Sequence, residues 1–376
     1  MRKLHFIWLL LSALLLAGAC SRLEEQEAAL NIYVRLPEEV STKATTDWAT
    51  LLARETRIND LKIWVFVNKY KDSSVPKGTL LGYLEPKQLN VVNGQVQKFT
   101  VPLNKEMASK IEKVDVYVLA NAKAVQFNGV GQDATTADLD ALVLSGTKFG
   151  ISANGKPTNT SISETEGLPY SAVRKGLELT GTAPNLSVAD VKLVRAVSKI
   201  QFVFSQIKVG DDTPVEFEIT GLELDSGQIP EEEYLFNDSE NLYKIGSSFV
   251  DQALTVTAPA KAEIVGSTSP GQYAYTSGDT EVYQKKIYDA LTSVPPALTG
   301  CPPCYLRESS KTLSGKITYS VGGVAREPLV FKMSGTEIFS RNSSWVLYFY
   351  FNNTNMSLSA SYSEWEFTNN HIITGN

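Results

Sequence analysis

The chain has 376 residues, 43% of them hydrophobic and 20% charged, so at roughly 150 residues per domain it has room for two cores. Its 35 basic and 41 acidic residues leave a net charge of −6, which argues against nucleic acid as a partner. The two histidines, His5 in the apolar N-terminal stretch and His371 near the C-terminus, give a multi-histidine metal site or a histidine-based triad nothing to build on.

Met1-Arg2-Lys3 is basic, Leu4 to Leu16 is an almost unbroken apolar run, and Ala17-Gly18-Ala19 lead into Cys20. A run of 13 residues is too short to span a bilayer and reads as the core of a signal peptide over residues 1–19. A cysteine directly after small residues resembles the bacterial lipobox, although Leu16 stands one place early for it. Cys20 is therefore the expected lipidation site, its acyl chains anchoring the protein in the bacterial envelope. Residues 20–29, polar and acidic, suit a short tether.

From residue 30 onward, period-2 runs dominate. Leu30, Ile32, Val34 and Leu36 alternate with mostly polar residues, as a half-buried strand requires. Leu61 to Val67 is a continuous β-branched and aromatic run suited to a central strand. Lys98 to Leu103, Val114 to Leu119 and Leu177 to Leu179 extend the pattern. Further on come Ile200 to Phe204, Val215 to Leu224, Ile317 to Val321, Leu329 to Met333, Trp345 to Phe351 and Met356 to Tyr362. Helix signals are sparse: Thr136 to Leu142, capped by Thr135 or Thr136, and a short stretch over Thr45 to Leu52. Many short strands between Gly, Pro, Asn and Ser loops predict an all-β protein built from β-sandwiches.

A composition shift at residues 181–195 divides an N-terminal domain, 30–190, from a C-terminal domain, 191–376, whose terminal strand covers 356–367. Residues 255–300 read as a long loop region, and the acidic run Glu231-Glu232-Glu233 as a solvated loop. Cys301 and Cys304, separated by two prolines that pre-set a turn, predict a loop-stapling disulfide, with redox-active or free thiols as alternatives. No catalytic residue, metal ligand or cofactor is assigned.

Several short motifs follow one another along the chain: the lipobox with its alternating first strand, Val116 to Ala122 with Ala120-Asn121, and Leu168-Pro169-Tyr170-Ser171. Val194 to Ile200 with Arg195, Arg341-Asn342 before Trp345, and Glu364-Trp365 complete the series. In their order and spacing they resemble the Bacteroidales fimbrillin-type pilus subunits, in which the counterpart of Leu168 to Ser171 is a loop before the last strand of the first domain. The resemblance implies two tandem transthyretin-like β-sandwich domains behind a lipoprotein signal peptide. It also implies an outer-membrane precursor, removal of the first strand by a trypsin-like protease, and polymerisation with other fimbrial subunits by strand exchange. Adhesion to a host or bacterial surface ligand comes with it.

The residues supply candidate parts for this. Met356, Leu358, Ala360 and Tyr362 alternate with serines and form the candidate donor face, or else the last strand of the C-terminal sandwich. Leu30, Ile32, Val34 and Leu36 form the matching first-strand face. Lys43 is the first basic residue after that strand, so cleavage falls there for a broadly tryptic protease, or at Arg54 or Arg57 for an arginine-specific one. Beyond 362 the period inverts at Trp365, implying a bulge or a second short strand. Two other readings stay open: a fimbrial anchor or tip subunit that does not polymerise, and a glycan-binding surface lipoprotein using Trp48, Trp64, Trp345 or Trp365.

Overall fold

The computed structural model describes residues 28–36, 54–72, 74–89, 94–103, 105–125, 131–145, 148–183, 185–207, 216–236, 246–257, 263–265, 302–332, 339–351, 356–364 and 371–374. Cys20, Lys43, Trp48, Cys301, Trp365 and the Thr45–Leu52 stretch lie outside them.

The first half of the chain carries β1 (Ala28–Arg35), β2 (Leu61–Tyr70), β3 (Leu80–Leu84), β4 (Val96–Leu103), β5 (Ile111–Ala120) and β6 (Val143–Ser145). It continues with β7 (Tyr170–Glu178), β8 (Thr180–Thr182), β9 (Asn185–Lys192) and β10 (Val194–Arg195). One sheet has the order β4-β1-β9-β8 and a second β10-β7-β5-β2-β3, and a shared hydrophobic core joins them into a β-sandwich. The runs sort as their patterns demand. Continuous apolar β2 and β5 lie side by side in the middle of the second sheet, whereas alternating β1 buries one face. Trp64 on β2 is fully buried and satisfies its indole by donating to Gly131 O at 3.0 Å. Helical content is slight: α1 (Lys105–Ala108) and α2 (Thr136–Asp140). Thr135 caps α2 in a reciprocal box with Asp138, each side chain accepting from the other's backbone N–H.

The second half carries β11 (Ser198–Ile207), β12 (Phe217–Leu224), β13 (Glu232–Tyr234), β14 (Leu254–Val256), β15 (Glu263–Val265) and β16 (Cys304–Leu306). After these come β17 (Ser314–Val321), β18 (Val324–Ala325), β19 (Leu329–Lys332), β20 (Ser343–Phe351), β21 (Met356–Glu364) and β22 (His371–Thr374). The sheet β15-β11-β20-β21-β22, with β16 also on β11, faces the sheet β14-β12-β17-β18, with β19 also on β17. Their core gathers Phe202, Phe204, Trp345, Leu347 and Phe349 from the first sheet and Phe217, Ile219, Ile317 and Phe331 from the second. The protein is all-β, two sandwiches in tandem. Each places its first strand inside a sheet, parallel to a late one: β1 beside β9 and β11 beside β20.

Four sequence expectations need correction. Leu168 to Ser171 leads into β7, after which the chain adds β8, β9 and β10, so β7 is not the last strand of its sandwich. Strand β9 occupies the stretch whose composition suggested a boundary. Its alternation breaks between Val188 and Val191, where the register against β1 shifts, and that break conceals the strand. The expected loop region 255–300 begins inside strand β14, Leu254–Val256, and Glu263–Val265 within it is a strand rather than loop. Glu233 is fully buried, because Glu232–Tyr234 forms β13 against β6 and alternation turns its side chain inward, away from the exposure expected of an acidic loop.

Candidate functional site

Strand β1 is held on both sides. It runs antiparallel to β4, from Ala28 opposite Leu103 to Arg35 opposite Val96, and parallel to β9. Ala28, Leu30, Ile32 and Val34 are each 0% exposed, and Leu36 just beyond is 2% exposed. Burying the four large side chains stabilises the fold by roughly 6–12 kcal/mol as an upper bound. The opposite face is held lightly: Thr100 Oγ1 donates to Asn31 Oδ1 at 3.0 Å, and Arg35 pairs with Asp190 at 2.7 Å with both side chains largely in solvent. Losing β1 would leave an apolar trough flanked by unpaired N–H and C=O groups of β4 and β9.

The chain re-enters the described structure at Arg54, and from Glu55 to Asp60 it is fastened at the junction of the two sandwiches. Glu55 is 0% exposed, and Lys199 Nζ on β11 lies 2.9 Å from both its carboxylate oxygens. Tyr305 OH on β16 donates to Glu55 Oε1 at 2.7 Å. The Glu55 carbonyl accepts from Tyr170 OH on β7 and from Arg195 Nε on β10, the latter at 3.4 Å. Arg195 lies over the Tyr170 ring and donates to Asn342 Oδ1 at 3.2 Å. Burial pulls the Lys199 ammonium below its usual range even against the Glu55 charge, and burial followed by that charge pushes the Tyr305 phenol well up.

Asn121, at the end of β5, continues the fastening. Its backbone lies in the left-handed region at φ 56°, which turns its amide onto the incoming chain. Its Nδ2 donates to Arg57 O at 2.8 Å and to Leu168 O at 2.6 Å, and its Oδ1 accepts from Asn59 N at 2.7 Å. Asp60 Oδ1 accepts from Ala122 N at 2.8 Å. Gly167, at φ +70°, admits this approach, since a Cβ there would stand 2.4 Å from Asn121 Nδ2. Asn121, Tyr170, Arg195 and Asn342, dispersed in sequence, thus meet at one place.

A second ionic cluster lies beside it. Arg341 Nη2 is 2.7 Å from Glu233 Oε1, its Nε is 3.1 Å from Glu308 Oε2, and its Nη1 donates to Leu235 O at 2.8 Å. The Glu308 N–H donates to Glu233 Oε2 at 2.7 Å. Since β13 pairs in a two-stranded sheet with β6, whose Leu144 packs in the first core, this cluster too sits at the junction. Burial raises Glu233 from its ordinary 4.5 to about 8, with Arg341 and Arg307 opposing and Glu308 adding to the shift. Between those values the folded chain keeps a proton that the unfolded chain has released. Stability therefore falls as pH rises through that window, by up to about 1.4 kcal/mol per unit. Thermal midpoints measured from pH 5 to 8 are expected to show this decline in the natural chain and to lose it in Glu233→Gln. An equal slope in both proteins overturns the assignment.

The other predicted site residues are scattered. Arg54 pairs with Glu164 at 2.8 Å and Arg57 is exposed near the Glu164 carbonyl. Cys304 is buried in β16 opposite Ile200. Trp64 and Trp345 are core residues. The backbone of β21 pairs on both sides, with Phe351 opposite Met356, Phe349 opposite Leu358, Leu347 opposite Ala360 and Trp345 opposite Tyr362 on one side and β22 on the other. Sequence reasoning gave Glu55, Lys199 and Tyr305 no role, since no local pattern distinguishes them from surface residues. Among the described residues no helix is long and apolar enough to cross a membrane, and no three of His, Cys, Asp and Glu stand together as metal ligands would.

No family model and no curated protein matches the sequence. Among solved structures, the chain is similar to a putative cell adhesion protein from Parabacteroides distasonis ATCC 8503. The TM-score is 0.53 at 16% identity, over 92% of this chain and 99% of that one. The two share a fold. The fimbrilin of Porphyromonas gingivalis W83 is similar at TM-score 0.47 and 12% identity, over 92% of this chain and 99% of that one. The tip fimbrial protein Mfa3 of Porphyromonas gingivalis, with C-terminal truncation, is similar at TM-score 0.47 and 11% identity, over 90% and 100%.

Proposed function

We propose that the chain is a structural subunit of a bacterial surface fimbrium, exported as a lipoprotein acylated on Cys20 and held at the outer membrane until it assembles. Assembly occurs when β1 leaves and a strand of another subunit takes its place, and the fibre contributes to adhesion. The observation that carries this reading is the placement of β1, an inner strand with one wholly buried face, held between β4 and β9. The fold shared with an adhesion protein supports the same reading.

A replacement strand must run antiparallel to β4 and parallel to β9, with apolar side chains two residues apart and a small one at the Ala28 position. The spacing of Met356, Leu358, Ala360 and Tyr362 meets the periodic requirement. Because β21 is paired on both sides within its own chain, donating it requires release from those neighbours. Burial of Trp64 and Trp345 removes two of the aromatics on which a glycan-binding reading rests. Electron microscopy of the protein starting at Cys20, before and after limited proteolysis, tests the proposal. Filaments are expected on cleavage, and an excess of a peptide spanning residues 28–36 is expected to suppress them. Monomers that persist after the β1 segment has been lost sink strand exchange.

A further inference from the structure

The fastened stretch after Arg54 determines where the removable segment can end. Every tie described for it begins at Glu55 and runs to Asp60, with partners on β5, β7, β10, β11 and β16. Both sandwiches grip it at once. Glu55 and Thr56 are buried, whereas Arg54 and Arg57 reach solvent and are tied to Glu164. Side-chain exposure of a basic residue is not enough for cleavage. A protease must draw the peptide backbone into its cleft, and here the backbone carbonyls of Glu55 and Arg57 and the N–H of Asn59 are engaged.

Charge adds a second obstacle. A cut after Arg54 would put a new ammonium on Glu55, inside a cluster that already contains Lys199 and Arg195. A cut after Arg57 would detach Glu55 from the body of the protein, leaving the buried Lys199 ammonium to depend on a fragment held without a covalent bond.

We infer that residues 55–60 are a latch held by both domains and retained by the mature subunit, so that the removable segment ends upstream of Glu55 and neither Arg54 nor Arg57 is a processing site of the folded chain. The inference rests on the strand-exchange reading for what is removed, but not for what is protected. The latch also explains how β1 could depart without opening the junction, since every described tie between 55–60 and the domains lies on the retained side of the cut.

The test is limited trypsin digestion of the folded protein starting at Cys20, with the termini of the products mapped by mass spectrometry. Arg326, exposed in the turn between β18 and β19, serves as an internal reference. In the natural chain, no product beginning at Glu55 or Ile58 is expected while Arg326 is being cut. Glu55→Gln and the milder Tyr170→Phe are each expected to raise cutting after Arg57 by at least about tenfold relative to Arg326. Cutting after Arg54 or Arg57 in the natural chain, at a rate matching Arg326, overturns the latch. So does a variant in which both sites accelerate equally, because the effect is then global. Protection at Arg57 in a protein that forms no filaments would leave the latch standing and count against strand exchange alone.

Discussion

Ile32→Asp is expected to cost the first sandwich more than about 4 kcal/mol, enough to leave little soluble protein. Ile32 is 0% exposed in the middle of β1, opposite Phe99 and beside Val188, and none of these offers a partner to a carboxylate. The control is Asn31→Asp on the other face, which is partly in solvent and expected to change the midpoint by less than about 0.5 kcal/mol. Soluble yield and thermal midpoint at pH 7 check both. An unchanged midpoint for Ile32→Asp would show that β1 does not fill the trough in solution. The same experiment bears on assembly, because a strand that must be replaced in kind cannot be replaced by one carrying a buried charge.

Lys199→Met is expected to destabilise the protein by about 3–5 kcal/mol, a fall in midpoint of roughly 10 °C. Removing the ammonium takes from the fully buried Glu55 carboxylate the countercharge that lies 2.9 Å from both its oxygens. The double variant Glu55→Gln with Lys199→Met removes both charges and is expected to regain much of that loss, because desolvation of the pair opposes its attraction. A double variant as unstable as the single one would mean that packing of the Lys199 stem, rather than its charge, is what matters.

The strand faces were legible in the sequence and the junction was not, and the difference is physical. Alternation is a local property. Leu30, Ile32, Val34 and Leu36 reveal a half-buried strand because the β pleat has period two wherever the strand sits. The cap of α2 is equally local, since Thr135 and Asp138 satisfy one another within a single turn. Strand β9 escaped because its period breaks at the bulge opposite β1, so only pairing reveals it as a strand.

Burial of charge has no such local signature. Glu55, Lys199 and Glu233 have neighbours in sequence that could equally belong to a solvated surface, and distant parts of the chain bring each its polar partner, Glu55 and Lys199 to one another and Arg341 to Glu233. From residue order alone came an all-β chain, an alternating first strand, the expectation of a leader over residues 1–19 ahead of Cys20, and short motifs around Asn121, Tyr170, Arg195 and Asn342. That Asn121, Tyr170 and Arg195 converge on one six-residue stretch, 55–60, with Asn342 holding Arg195 from behind, and that β1 is an inner rather than an edge strand, was decided by tertiary structure. The Glu55–Lys199 pair across the junction joins residues 144 positions apart, and no short window along the chain contains both ends of such a contact.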